Sequence, residues 1–193
     1  MVHIRALEQR ILTEGRVLPG EVLKVGSFLN QQIDTKLLKE MGDEIARLFS
    51  QSKVTKVLTI ESSGIALAYA AAVSLGVPMV FAKKHKSSNL AGNILTSKVF
   101  SYTHQQTYDI MVSADYITSG DNILIVDDFL AMGNALNGLI DIVGQAGASL
   151  AGCAIAIEKG FQGGGDALRA KGIRVESLAI VDRMTDDSLE FRP

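Results

Sequence analysis

The chain has 193 residues, 47% of them hydrophobic and 21% charged, a composition that suits one globular domain with a well-filled core. Nineteen basic against twenty-one acidic side chains leave a net charge of -2, which excludes a general electrostatic footprint for a nucleic-acid backbone or an anionic membrane. The one cysteine, Cys153, excludes an intramolecular disulfide and a cysteine metal cluster, as expected of a protein kept in a reducing cytoplasm.

The opening MVHIRALEQR mixes charges among its apolar residues, so no secretory leader is expected. Ile4, Leu7 and Ile11 share one helical face, and Gly15 follows them, which predicts a first helix over residues 2–14. Asp34 is placed to cap a second helix carrying Leu37, Leu38, Met41, Ile45, Leu48 and Phe49 on its apolar stripe. The apolar strand KVLTI follows at 56–60. Residues 65–82 carry no charge and approach the ~20 needed to cross a bilayer. Gly76 and Pro78 divide them, and the two pieces predict a buried helix at 64–75 and a buried strand at 79–82.

The stretch from Lys83 to Tyr108 is polar, only partly periodic and too long for an ordinary connection, which predicts a mobile functional loop. A short strand is expected at 110–113 and the strongest at 122–126. Two more are expected at 150–157 and 173–180, each after a helical stretch. Gly163, Gly164 and Gly165 predict a turn with no phosphate-binding pattern behind it. Helix and strand alternate, so the sheet should be mostly parallel with helices on both faces.

The chemistry concentrates in NILIVDDFLAMGNAL, residues 122–136. In an open α/β sheet, ligands bind beyond the carboxyl ends of the strands, so Asp127 and Asp128 should emerge at the mouth of the crevice and accept hydrogen bonds from vicinal sugar hydroxyls. Ala131, Met132, Gly133, Asn134 and Ala135 would then wrap a phosphate with backbone N–H groups at the positive end of the next helix. Two carboxylates beside a phosphate cradle suit a ribose 5-phosphate.

With these residues in this order the sequence resembles the purine phosphoribosyltransferase family, whose signature is an apolar strand, an acidic pair and a small-residue loop. Many relatives have Ala-Thr-Gly-Gly-Thr in the loop; Met132 and Ala135 here replace the two threonines, so backbone donors must dominate. The resemblance implies a type I phosphoribosyltransferase fold: one domain over 1–193, with a small hood contributed mainly by residues 1–35. It also places the diphosphate of phosphoribosyl pyrophosphate at Ser62 and Ser63, in the ESSG turn after KVLTI, and on Lys84, at the start of a closing loop. Magnesium would arrive with that diphosphate, since no metal cage is visible in the sequence. His85 and His104 are taken as ordinary loop residues.

Segments 21–34, 59–68, 81–87, 126–136 and 155–162 resemble the bacterial branch of the family that acts on xanthine. The resemblance puts Leu23, Asn30 and Lys159 around the base. Xanthine presents oxygens at positions 2 and 6, which the Asn30 amide and the Lys159 ammonium could each meet as donors, whereas adenine would turn an amino group toward Lys159. Phe161 could stack on the purine. Transfer to adenine, guanine, hypoxanthine or orotate is the nearer alternative. A non-catalytic regulator is the more distant one, lacking here a DNA-binding module or a basic face. The resemblance also implies a homodimer.

Overall fold

The computed structural model describes residues 4–84, 92–101, 106–185 and 188–193. The chain begins with helix α1 (Arg5–Glu14), a two-stranded hairpin β1 (Arg16–Leu18) and β2 (Val22–Lys24), and a π-helical turn (Gly26–Asn30). Helix α2 (Thr35–Leu48) starts where the sequence predicts. The Asp34 carboxylate accepts the N–H groups of Lys36 at 3.0 Å and Leu37 at 3.1 Å, a cap that stabilises a helix by ~1 kcal/mol.

Strand β3 (Lys56–Ile60), helix α3 (Gly64–Leu75) and strand β4 (Met79–Ala82) follow, then β5 (Ile94–Ser101) and β6 (Gln106–Ser113). The second half alternates β7 (Asn122–Leu130), α4 (Asn134–Gln145), β8 (Ser149–Lys159), α5 (Gly164–Ala170), β9 (Val175–Met184) and β10 (Leu189–Phe191). The six-stranded sheet runs β10-β9-β8-β7-β3-β4, parallel except for β10, which pairs antiparallel with β9.

Strand β7 shows why its run from Ile123 to Val126 is apolar at every position. Leu124 and Val126 pack on one face with α1, α2 and α3, through Leu7, Met41, Ile45 and Leu67. Ile123 and Ile125 pack on the other with α4 and α5, through Leu139, Ile142 and Leu168. Both faces are covered along Ile123–Val126, so both sets of alternating side chains there are apolar. Cys153 is buried in the second of these cores, and burial, with the Asp127 charge adding to it, pushes its thiol up to about 12.

Three expectations need correction. The single loop expected over 83–108 is instead largely an antiparallel hairpin, paired from Ile94 opposite Ser113 to Ser101 opposite Gln106. Its alternation places Val99, Ile110 and Val112 in the core against α4 and leaves Thr96, Lys98 and Asp109 exposed on the other face. Residues 85–91 and 102–105, with His85, Lys86 and His104, lie outside the described residues. The glycine cluster is a turn only at Gly163, which has φ +75°; Gly164 already begins α5. Finally, β7 continues to Leu130, so Asp127 and Asp128 lie within the strand and not beyond it.

Candidate active site

Asp127 and Asp128 are each only 5% exposed. Asp128 is held from two sides: Ser63 Oγ donates to its Oδ1 at 3.0 Å, and Asn30 Nδ2 to its Oδ2 at 3.4 Å. Asp127 Oδ1 accepts the Asp128 backbone N–H at 3.0 Å. Burial, and then the adjacent Asp128 charge, push the Asp127 carboxyl well above the ordinary carboxylate range, with Lys84 opposing. A Cβ at Gly64 would stand 2.5 Å from Thr59 Oγ1 and 2.6 Å from Asp127 Oδ1, so only glycine lets α3 start against this carboxylate.

Beyond the pair, the chain turns through Ala131–Gly133 into α4. Gly133 has φ +85°, in the left-handed region that favours glycine, and the first N–H groups of α4 lack partners within the helix. The loop is backed by the glycine cluster that the sequence left without a role. A Cβ on Gly164 would run into the Ala131 carbonyl oxygen and lie 2.6 Å from Met132 C and 2.7 Å from Gly133 N. The Asn134 side chain turns away from the cradle and donates to the Phe100 carbonyl at 3.0 Å, joining the loop to β5.

The ESSG turn contains a cis Glu61–Ser62 peptide. Ser63 precedes α3 but makes no side-chain cap, because its hydroxyl is given to Asp128. Glu61 Oε1 accepts the Lys84 backbone N–H at 2.7 Å, which fixes the end of β4 to this turn. The Lys84 ammonium stands 5.5 Å from the centre of the Tyr108 ring.

A cleft of about 930 Å³ runs from Ala131–Leu136 to the tip of the β1–β2 hairpin at Pro19–Val22, with Lys159, Phe161 and Phe129 along it. Lys159 Nζ donates to the Glu21 carbonyl at 2.6 Å and lies 5.9 Å from the centre of the Phe129 ring. Burial lowers its pKa, while the Glu21 charge opposes that shift. Leu23 is 6% exposed and packs in the core, not in the cleft lining.

Most of the expected residues therefore fall into two groups joined by β7: Asp127, Asp128, Ser63 and Asn30 around the carboxylates, and Ala131–Ala135, Lys159 and Phe161 along the cleft; Leu23, Ser62 and Lys84 belong to neither. Phe129, Tyr108, Glu21 and Gln162 also line the cleft, and sequence reasoning missed them. Phe129 carried a signal, being the aromatic residue directly after the acidic pair.

Residues 29–181 match the family described as phosphoribosyl transferase domain. The chain is 51% identical over 191 residues to a xanthine phosphoribosyltransferase of Lachnoclostridium phytofermentans, covering 98% of each. It is 50% identical over 188 residues to that of Bacillus cereus strain AH187, covering 97% of this chain and 95% of the relative. Among solved structures, an APRTase from Giardia lamblia superposes with a TM-score of 0.77 at 22% identity over 92% of this chain and 98% of its own. The adenine phosphoribosyltransferase of Rhodothermus marinus gives 0.73 at 27% identity, covering 91% and 98%.

Proposed function

The chain belongs to the phosphoribosyl transferase family, and on that premise we propose that it transfers the 5-phosphoribosyl group of phosphoribosyl pyrophosphate to xanthine, releasing diphosphate and xanthosine 5'-monophosphate. The observation that carries the reading is the buried Asp127–Asp128 pair in the strand that leads into the Ala131–Gly133 turn, which Gly164 backs. The xanthine half of the reading is supported by the relatives' identity of about half over nearly the whole chain.

In the reaction the bond from the anomeric carbon to the diphosphate oxygen breaks, and the leaving group takes the electron pair. A base nitrogen supplies the pair for the new bond. Asp127 and Asp128 would hold the ribose hydroxyls and stabilise the positive charge that builds on the sugar. The N–H groups of Ala131–Ala135 would anchor the 5-phosphate, and Ser62, Ser63 and Lys84 would receive the diphosphate. Asn30 and Lys159 would donate to the base, Phe161 and Phe129 would bound its faces, and Leu23 would shape the hood from the core.

The donor set fits magnesium brought by the diphosphate. Among the described residues no three His, Cys, Asp or Glu side chains form a cage, while the hard oxygens of Asp127 and Asp128 can complete a mostly phosphate and water shell. The ion when bound neutralises charge developing on the diphosphate.

The reading includes a single domain over 1–193 with its hood mainly in 1–35, a homodimer and a cytoplasmic setting. Among the described residues no helix is long and apolar enough to cross a membrane. Incubation with phosphoribosyl pyrophosphate, magnesium and each purine in turn tests the function. Diphosphate release with xanthine is the expected result, and release with adenine alone would replace xanthine by adenine.

A further inference from the structure

The tip of the β1–β2 hairpin reaches across the chain to the end of β8 through one residue, Glu21. Its carbonyl accepts Lys159 Nζ at 2.6 Å, and its carboxylate Oε2 accepts Gln162 Nε2 at 2.6 Å. Glu21 also has φ +61°, in the left-handed region that non-glycine residues seldom occupy, directly after Gly20 at φ +80°. In the ordinary β region the carbonyl would turn away from Lys159.

A long lysine side chain has several rotamers, and an ammonium that must meet one oxygen of a planar base gains from being held beforehand. We propose that Glu21 is a positioning residue for base recognition: its left-handed turn aims a carbonyl that orients the Lys159 ammonium, and Gln162 locks that turn through the Glu21 carboxylate. The carbonyl and the ammonium together present an acceptor beside a donor. With the ammonium at the 6-position, that pair complements the N–H and C=O of a 6-oxopurine lactam and sets a donor against the 6-amino group of adenine. The proposal rests on the reading of Lys159 as a base contact.

The test compares Glu21→Val, whose branched side chain resists the left-handed conformation, with Glu21→Asn, which tolerates it. Steady-state KM is measured for xanthine and for phosphoribosyl pyrophosphate, with Lys159→Ala alongside. Glu21→Val should raise KM for xanthine roughly tenfold and leave that for phosphoribosyl pyrophosphate in place, and Glu21→Asn should recover most of the loss. Equal increases in both constants would mean a merely structural role and overturn the proposal, as would an unchanged xanthine KM in Glu21→Val when Lys159→Ala raises it. If Lys159→Ala itself leaves the xanthine KM unchanged, the base-contact reading fails and the proposal with it. Circular dichroism checks the fold, and a variant that does not fold is replaced by Gln162→Ala, for which the same split in KM is expected and equal increases overturn the proposal.

Discussion

At the scale of single residues, the chemistry rests on groups held under stress in the free protein. Asp127 is buried beside a second carboxylate, so its ionised form gains most from the hydrogen bonds a sugar would bring. Replacing Asp127 and Asp128 together with asparagine should cost ~1.5 to 3 kcal/mol of transition-state stabilisation for each charge-assisted bond lost, roughly tenfold to a hundredfold in rate apiece. The urea midpoint should hold or rise, because a like-charge pair is removed from the interior. Wild-type turnover in the folded double variant would exclude the role. Asn30 and Lys159 can be separated by substrate: Asn30→Ala should cost xanthine ~1 to 3 kcal/mol and hypoxanthine, which lacks the 2-oxygen, far less. Equal losses in kcat/KM for both bases would remove Asn30 as the selective contact. The acidic pair was legible in the sequence because strand, carboxylates and loop follow one another in a fixed order. Glu21 was not, since it draws its meaning from a partner far along the chain, Lys159.

At the scale of elements, helix α2 and the strands β3, β4 and β7 were legible from apolar runs and one aspartate cap. The β5–β6 hairpin was not. The face toward α4 carries Val99, Ile110 and Val112 in the core, and Gln145 fastens the hairpin there by donating to the Thr96 carbonyl at 2.8 Å. Polar residues such as Thr96 and Lys98 therefore occupy a true strand. Helix α5 answers to the helical stretch expected before residues 173–180, but its start was not legible, since it is a seven-residue segment opened by two glycines. The pairing of its Arg169 with the buried Glu158, at 2.6 Å from Nη2 to Oε2, holds it against β8. The role of α5 is testable at Gly164. Alanine there favours a helix by ~0.5 to 1 kcal/mol, yet it must displace the phosphate loop, so kcat/KM for phosphoribosyl pyrophosphate should fall roughly tenfold to a hundredfold while the fold persists. Unaltered kinetics in that variant would show that the loop does not depend on this packing.

At the scale of the whole molecule, the sheet is pinned at the end opposite the cleft by Asp121. Burial works against its charge, but the Thr118 backbone amide, the Lys56 ammonium and the Thr118 and Thr55 hydroxyls outweigh it and bring its pKa down to about 2. A depressed acid stabilises the fold above its unfolded pKa and loses that contribution as pH falls from about 4 toward 2. Asp121→Asn should therefore lower stability by about 2 kcal/mol near neutral pH and match the parent chain near pH 2, as urea titrations at the two pH values would report. The double-sided core that the sequence foretold has a further consequence through Cys153. The chain's one thiol is buried in the core beneath α4, and burial raises its pKa, so it should be silent toward alkylating reagents in the native state. The protein thus offers a blank background for site-directed labels. A cysteine placed at an exposed hairpin position would carry the only reactive sulfur, and a fluorophore or spin probe attached there would follow the hairpin during turnover without first stripping a native cysteine from the sheet.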